Sequence, residues 1–328
     1  MKILITGATG GLGQNLVPYF VGQGHVVTAI GRNNNIGKSL EAAGAKFFSG
    51  DISDRKFLSE HIQGQDVVIH SAALAAPWGK WADFKRINVE GTKILVDLAI
   101  KENLKSFVHL STPSIYFSGT PRTNIKESDP LPDPHTHYAR SKIMAEKIIT
   151  DAVAEHSLPA VMLRPRALFG PHDTAVLPRL LRVMEKGFFP LPNGGSALTN
   201  VTYVGNVVHA VDLAMKAQPS CYGKAYNITN GEALSIKELG ELLADKMKLK
   251  VKFINVPLSL LLKLSATMEF VADHVTHKEP TLTNYSVGLL GISQTLDITR
   301  AEQELGYRPQ VSVRQGLDQF LEWRKKST

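Results

Sequence analysis

The chain of 328 residues is long enough to bury one large core or two smaller ones. Its 43% hydrophobic and 20% charged residues are ordinary for a globular protein, and a single cysteine excludes an internal disulfide framework. The net charge of +7 is spread along the chain without a basic cluster, so we expect no nucleic-acid binding.

Short apolar runs alternate with helical stretches through the N-terminal half. Because the runs are apolar throughout, they predict parallel strands covered by helices on both faces. The predicted strands are Lys2–Thr6, His25–Ile30, Lys46–Ser49, Asp66–His70, Ser106–Leu110 and Ala160–Leu163, and the predicted helices are Leu12–Val21, Asp54–Ile62, Asp83–Ile100 and Tyr138–Glu155. Since a strand pattern begins at once, we expect no signal peptide and a cytoplasmic location.

The alternating rhythm ends at Pro171. Beyond it, Val201–Val204 and Ala225–Thr229 are predicted as short strands that rejoin the sheet edge, and the remaining pattern is mostly helical. The predicted division is a nucleotide-binding domain over residues 1–170, rejoined by 198–230, and a substrate-binding lobe over 171–197 and 231–328.

A leucine-rich segment at 256–275 is interrupted by charged residues, which argues against a membrane span. Its apolar residues recur at helical spacing, at Leu261, Leu264, Met268, Val271 and Val275. The spacing favours an amphipathic helix that packs on a core or covers an apolar pocket; peripheral membrane contact is the alternative.

A glycine-rich loop joins the first predicted strand to the first predicted helix. Glycines in this context allow a tight turn and let a pyrophosphate approach the helix N-terminus; a purely structural turn is the alternative. The predicted cofactor-binding residues of the loop are Gly7, Thr9, Gly10, Gly11, Leu12 and Gly13, and Ile52 and Ala72 join them from later loops.

The end of the second strand indicates which cofactor is bound. An acidic residue there would hold the ribose hydroxyls of NAD, but the chain has Gly31 followed by Arg32. Because a guanidinium suits a 2′-phosphate, we predict NADP(H) as the preferred cofactor and NAD(H) as the alternative. Asp51, after the third strand, is predicted to reach the adenine amino group or else to cap a turn.

Tyr138 and Lys142 are four residues apart in a predicted helix, and so share one face. A cation beside the phenol favours the phenolate, so we predict a lowered pKa for Tyr138 and a role as a general acid/base. The alternative is a solvated helix face.

The glycine loop and Tyr138-Ala139-Arg140-Ser141-Lys142 together resemble the extended short-chain dehydrogenase/reductase superfamily, and further motifs extend the resemblance over essentially the whole chain. Ser111-Thr112-Pro113-Ser114 and Pro77-Trp78-Gly79 resemble the branch of 3β-hydroxysteroid dehydrogenases, sterol-4α-carboxylate 3-dehydrogenases and 2-alkyl-3-oxoalkanoate reductases. Pro113-Ser114 and Thr199-Asn200 differ from the motifs of sugar-nucleotide dehydratases and epimerases.

The resemblance implies a Rossmann-type doubly wound parallel sheet with a smaller, mostly helical C-terminal substrate lobe. It also implies three catalytic residues: Tyr138 as proton donor, Lys142 on the nicotinamide ribose, and Thr112, or alternatively Ser111, on the reacting oxygen. No metal is expected.

The activity implied is an NADP(H)-dependent interconversion of a ketone and a secondary alcohol on a hydrophobic small molecule, by a homodimer. Steroid-like and β-keto acyl compounds are the substrates expected. The alternatives are a nucleotide-sugar epimerase with bound NAD and a non-catalytic NADP(H)-sensing protein.

Overall fold

A computed structural model describes residues 1–276 and 278–327. Its strands are β1 (Lys2–Thr6), β2 (Val26–Gly31), β3 (Lys46–Ser49), β4 (Val67–His70), β5 (Ser106–Leu110), β6 (Arg122–Ile125), β7 (Ala160–Pro165), β8 (Leu168–Phe169), β9 (Phe188–Pro192), β10 (Leu198–Thr199), β11 (Thr202–Tyr203), β12 (Ala225–Ile228), β13 (Leu234–Ser235), β14 (Lys252–Val256) and β15 (Gln294–Leu296). Its α-helices are α1 (Gly13–Gly22), α2 (Asn34–Ala42), α3 (Arg55–Ile62), α4 (Trp81–Phe84), α5 (Gly91–Lys101), α6 (His137–His156), α7 (Leu177–Met184), α8 (Val204–Met215), α9 (Ile236–Met247), α10 (Leu258–Val271), α11 (Asn284–Gly291), α12 (Thr299–Leu305) and α13 (Val313–Ser327).

Seven strands pair in parallel into one sheet, in the order β12-β7-β5-β4-β1-β2-β3. The order reverses at β1, because β2 and β3 lie on one side of it and β4 and β5 on the other. Loops that leave the carboxyl ends of the strands at such a switch point diverge and form a crevice. The predicted doubly wound sheet is therefore confirmed, and its topology sets the place for a ligand.

Helices cover both faces of the sheet, and each face has its own hydrophobic core. Ile3 packs in one core and Leu4 in the other, because neighbouring strand residues point to opposite faces. Both side chains are fully buried. Burial on two faces accounts for the unbroken apolar runs in the sequence.

The predicted strands and helices of the N-terminal half form with small shifts at their ends. The predicted helix Asp83–Ile100 forms in three consecutive parts, which are α4, a π-helical turn over Lys85–Glu90, and α5. Ala225–Ile228 joins the sheet edge as predicted.

The prediction of a sheet-edge strand at Val201–Val204 is wrong. Only Thr202–Tyr203 is extended, it pairs with β8 outside the main sheet, and Val204 already begins α8. The Thr202 hydroxyl donates to the backbone carbonyl of Arg166 at 2.5 Å, which holds this segment against the chain that leaves β7.

The chain beyond β8 contributes a smaller, mostly helical portion with a core of its own, as predicted. Leu181, Phe189, Leu239 and Leu317 belong to this core. A four-stranded sheet in the order β13-β10-β15-β6 connects segments that are far apart in sequence. The numerical division into two domains stays a prediction.

The leucine-rich segment forms α10, but its predicted apolar stripe is not buried. Leu264, Val271 and Val275 are 48%, 39% and 69% exposed. The helix packs on α11, where the fully buried Ser265 donates to Asn284 Oδ1 at 2.7 Å. Because leucine occurs all round α10, its spacing could not identify the buried side. Within the described ranges, we find no helix with the length and apolarity needed to span a membrane.

Candidate functional site

A cleft of about 270 Å³ opens at the carboxyl ends of β1 to β4, where the sheet topology predicts it. Seven of the predicted cofactor-binding residues line the cleft: Gly7, Thr9, Gly10, Arg32, Asp51, Ile52 and Ala72. The sequence analysis did not assign the other lining residues, which are Ile30, Gly31, Gly50, Ser71, Ala73 and Ile87. Four of these six residues lie in the last two positions of a strand or directly follow one (Ile30, Gly31, Gly50 and Ser71), so the strand ends were the available signal.

The glycine loop brings backbone unusually close to backbone. A Cβ on Gly7, whose φ is +70°, would lie 2.6 Å from the Ala72 nitrogen, and one on Gly13 would lie 2.4 Å from the Gly7 carbonyl oxygen. No side chain of the described residues caps the start of α1 at Leu12; the Gln14 and Asn15 N–H groups donate to the Gly10 and Leu12 carbonyls, so the N–H groups before Gln14 are the ones available to an anion. The loop therefore fits a dinucleotide pyrophosphate.

Three predicted residues of the loop lie outside the cleft lining. Gly11 faces the backbone carbonyl of His172, Gly13 packs against Gly7, and Leu12 packs on the hydrophobic core. Any contact of these residues with a cofactor would come from the backbone at the start of α1.

Arg32 borders both the cleft and an adjoining surface hollow of about 570 Å³. The hollow is completed by Thr9 and by residues 33–35 at the start of α2. Asn33 caps this helix, since its Oδ1 accepts from the backbone nitrogens of Asn35 and Ile36 at 3.0 and 3.1 Å. A guanidinium and a helix N-terminus at one place favour a bound phosphate.

Asp51 stabilises a turn and borders the cleft at the same time. Its Oδ1 accepts from both the backbone nitrogen and the hydroxyl of Ser53, each at 2.8 Å, and Arg86 donates to Oδ2 at 3.3 Å. Burial opposes ionisation, but these hydrogen bonds outweigh it and hold the pKa of Asp51 below its usual value. The structure thus contains the turn cap, and the adenine contact stays a prediction.

Helix α6 carries Tyr138 and Lys142 one turn apart, beside the end of β5. Thr136 begins the helix by accepting from the Ala139 nitrogen at 3.0 Å. Ser141 lies between the two residues and accepts from Asn88 Nδ2 at 2.8 Å, while Asn88 Oδ1 accepts from the Leu74 nitrogen at 2.7 Å. Asn88 therefore joins α6 to the loop after β4, which forms part of the cleft.

Thr112 and Ser111 occupy different surroundings. The Thr112 side chain lies close enough to the Tyr138 phenol to lower its pKa, whereas Ser111 donates at 2.5 Å to Glu146, whose carboxylate pairs with the buried Arg164. Ser111 is thus part of a buried ionic network. Of the two hydroxyls proposed from the sequence, that of Thr112 lies with Tyr138.

The predicted lowering of the Tyr138 pKa by Lys142 is wrong for this arrangement. Burial raises the pKa of the phenol to about 12, and the neighbouring Thr112 hydroxyl offsets this only in part. The reason is that Lys142 points elsewhere: Nζ lies 2.9 Å from His109 Nε2 and donates to the Leu110 carbonyl at 2.7 Å.

Lys142 is 1% exposed, and its burial lowers its pKa to about 7. His109 is also fully buried, and its burial beside Lys142 keeps the pKa of the imidazole well below 6.5. His109 is therefore neutral and accepts a hydrogen bond from Lys142 at Nε2. The sequence analysis did not identify His109, which precedes Thr112 by three residues on β5.

A second group of polar residues, absent from the sequence analysis, extends from Thr112. Thr112 donates to Ser114 Oγ at 2.9 Å, and Ser114 shares a 2.7 Å hydrogen bond with the Tyr285 hydroxyl. The buried Arg166 is close enough to Tyr285 to counteract the rise in pKa that burial gives this phenol. These residues lie far apart in sequence, so no local motif could have revealed them.

The aromatic and histidine residues near α6 pack against one another. The Trp81 ring lies 5.7 Å from His137 and 4.4 Å from the Arg140 guanidinium carbon, and Trp78 Nε1 donates to Asp273 at 3.1 Å. Within residues 1–276 and 278–327, no three His, Cys, Asp or Glu side chains converge as metal ligands.

Residues 3–229 match the family model described as "NAD dependent epimerase/dehydratase family". The chain is 32% identical to a 4-hydroxy-2-methyl-3-oxo-4-farnesyl-3,4-dihydroquinoline-1-oxide ketoreductase of Stigmatella aurantiaca, with 97% of this chain and 95% of the relative covered. It is also 32% identical to a 2-alkyl-3-oxoalkanoate reductase of Stenotrophomonas maltophilia, with 97% of both chains covered.

Among solved structures, the UDP-glucose 4-epimerase of Thermotoga maritima is similar in fold. Its TM-score is 0.80 at 22% identity, with 100% of this chain and 99% of that chain covered. The likeness of fold and the family match agree with the glycine loop and the switch-point cleft. The chain belongs to the NAD dependent epimerase/dehydratase family, as an NAD(P)-binding oxidoreductase of the extended short-chain dehydrogenase/reductase type.

Proposed function

We propose that this protein uses NADP(H) to interconvert a ketone and a secondary alcohol on a hydrophobic small molecule. The observation that carries the proposal is that Thr112, after β5, lies beside the Tyr138 phenol and lowers its pKa, while α6 places Lys142 one helical turn from Tyr138. The reductase and ketoreductase names of the two relatives support the same chemistry.

In the proposed reaction the bound nicotinamide supplies or accepts a hydride. Thr112 donates a hydrogen bond to the substrate oxygen and orients it. Tyr138 then gives its proton to that oxygen as negative charge develops; its pKa of about 12 keeps the phenol protonated before this step. With the cofactor bound, Lys142 would hold the nicotinamide ribose and supply positive charge near the phenol.

The preference for NADP(H) rests on the adenosine end of the cleft. Arg32 and the N-terminus of α2 provide positive potential where a 2′-phosphate would lie, and the chain has Gly31 where an acidic residue would repel it.

We expect Tyr138→Phe to lower kcat by about 10²–10⁴-fold, because the reacting oxygen loses its proton donor. Turnover is measured as NADPH oxidation with a ketosteroid, a 3-oxo ester and small aldehydes. The Kd of NADPH is measured for the same variant and should stay near the wild-type value. The matched control is Tyr222→Phe, which removes a half-buried phenol elsewhere in the fold and should leave turnover unchanged.

Near-normal turnover in Tyr138→Phe would contradict the proposal. NAD retained through purification, with no oxidation of added NADPH, would favour the nucleotide-sugar epimerase. NADPH binding without turnover of any tested carbonyl compound would favour a non-catalytic sensor.

A further inference from the structure

Arg166 is buried beside the proposed catalytic residues without a carboxylate partner. It is 4% exposed, and its guanidinium donates to Gln294 Oε1 at 2.5 Å and to Thr199 Oγ1 at 3.2 and 3.3 Å. Both acceptors are neutral. Within the described part of the chain no acidic side chain offsets the charge, and burial lowers the pKa of Arg166 to about 10.

Arg164, two residues earlier, shows the usual arrangement of a buried arginine. Its guanidinium meets both oxygens of Glu146, at 2.8 and 2.5 Å. A buried charge costs free energy unless an opposite charge compensates it. The fold therefore compensates one of two neighbouring arginines and leaves the other with an excess of positive charge.

Gln294 adds a second unused donor at the same place. Its Oε1 accepts from Arg166, while its Nε2 is buried and has no hydrogen-bond partner among the described residues. Arg166 uses three of the five N–H bonds of a guanidinium in its contacts with Gln294 and Thr199, so two are left. A guanidinium edge and an amide N–H match the two oxygens of a carboxylate.

The position of Arg166 places these donors near the reacting atoms. β5 and β7 are neighbouring parallel strands, with Leu110 paired to Leu163, so Thr112 and Arg166 leave the sheet at the same edge. Tyr285 lies between them: its hydroxyl hydrogen-bonds Ser114, which accepts from Thr112, and its phenol senses the Arg166 charge.

We propose that Arg166 and Gln294 Nε2 form the binding site for a carboxylate on the substrate, so that the preferred substrate is a ketone or secondary alcohol that also bears a carboxylic acid. This inference rests on the proposed function for the redox step. It selects acids over neutral steroids or esters, because only an anion would complete the charge balance at Arg166.

The test compares 3-hydroxydecanoate with its methyl ester, each oxidised with NADP⁺ by the wild type and by two variants. The wild type should have the higher kcat/KM for the acid. Arg166→Met removes the charge, and Gln294→Glu gives Arg166 a carboxylate from the protein. Each should lower the acid-to-ester ratio of kcat/KM by about 10–100-fold, mainly through KM, which is the loss expected for hydrogen bonds to a charged group. Arg314→Met, at an exposed position on α13, should keep the wild-type ratio.

A binding measurement separates this inference from the proposed function. Decanoate should raise the Tm of the wild type more than decanamide does, and Arg166→Met should lose that difference. Turnover of acid and ester with equal kcat/KM would overturn the inference and leave the proposed function intact. Stabilisation by decanoate through Arg166, without turnover of either alcohol, would support the anion site and contradict the redox function.

Discussion

Lys142 shows how a single residue at the proposed active site lowers the stability of the fold. Its folded-state pKa of about 7 lies below the ordinary 10.5, because burial of the ammonium, which hydrogen-bonds His109 and the Leu110 carbonyl, outweighs the attraction of Glu146. The unfolded chain therefore holds this proton more tightly than the folded one. The resulting cost is complete below pH 7 and disappears as the pH rises toward 10.5.

We therefore expect Lys142→Met to raise the free energy of unfolding by about 3 kcal/mol at pH 6 and by much less at pH 9.5. Urea denaturation at both pH values, without added nucleotide, measures the difference. The control is Lys147→Met on the same helix, where the exposed lysine pairs only with Asp151 and should give a small, pH-independent change. An effect of Lys142→Met that does not vary with pH would show that the lysine is not held in a destabilised charged form.

The predicted preference for NADP(H) over NAD(H) depends on one side chain, that of Arg32. We expect Arg32→Asp to lower the ratio of kcat/KM for NADPH to that for NADH by at least about tenfold, since one charge-assisted contact to a phosphate is lost and a repulsive one is gained. Steady-state kinetics with both nucleotides measures the ratio, and Arg314→Asp serves as the control for an added surface carboxylate. A wild type that prefers NADH, or an unchanged ratio in the variant, would contradict the predicted preference.

At the scale of elements, α6 is fixed to the sheet by one buried ion pair. Glu146 on α6 receives hydrogen bonds from Arg164 on β7 and from Ser111 after β5, and Arg164 also donates to Tyr116. The helix that carries Tyr138 and Lys142 is thereby held against the strands whose ends carry Thr112 and Arg166. The Glu146–Arg164 ion pair thereby positions α6 relative to the ends of β5 and β7.

We expect Glu146→Gln to lower the free energy of unfolding by about 3–5 kcal/mol, because it leaves the Arg164 charge buried and unpaired. Urea denaturation measures this loss. Asp151→Asn breaks the exposed Lys147 pair on the same helix and should cost less than about 0.5 kcal/mol. If adding Arg164→Met to Glu146→Gln restored none of the stability, the unpaired charge would not be the cause.

At the scale of the whole molecule, the sheet and the cleft could be predicted because their signals are local. Apolar runs indicate the strands, the glycines between β1 and α1 mark the crevice, and the spacing of Tyr138 and Lys142 marks the helix proposed to be catalytic. What the sequence did not show depends on contacts between distant segments. Arg166, Tyr285 and Gln294 come together only through the pairing of β10 with β15 and the placement of α11.

The wrong predictions about the buried side of α10 and about the pKa of Tyr138 have similar causes. The apolar spacing in α10 did not identify its buried side, because the side that meets α11 is fixed by the hydrogen bond between Ser265 and Asn284. The pKa of Tyr138 depends on where the Lys142 ammonium points, and helical spacing fixes only the backbone positions. The homodimer and the cytoplasmic location stay predictions.

Asn88 joins the loop beside the cleft to α6 through its hydrogen bonds with Leu74 and Ser141. The residues proposed to bind the nucleotide and those proposed to transfer the proton are thereby held together, and all of them come from the N-terminal half of the chain. Tyr285 and Gln294, which would meet the rest of the substrate, come from a later stretch. Substitutions in that later stretch could therefore redirect the choice of substrate while the hydride-transfer apparatus is inherited unchanged.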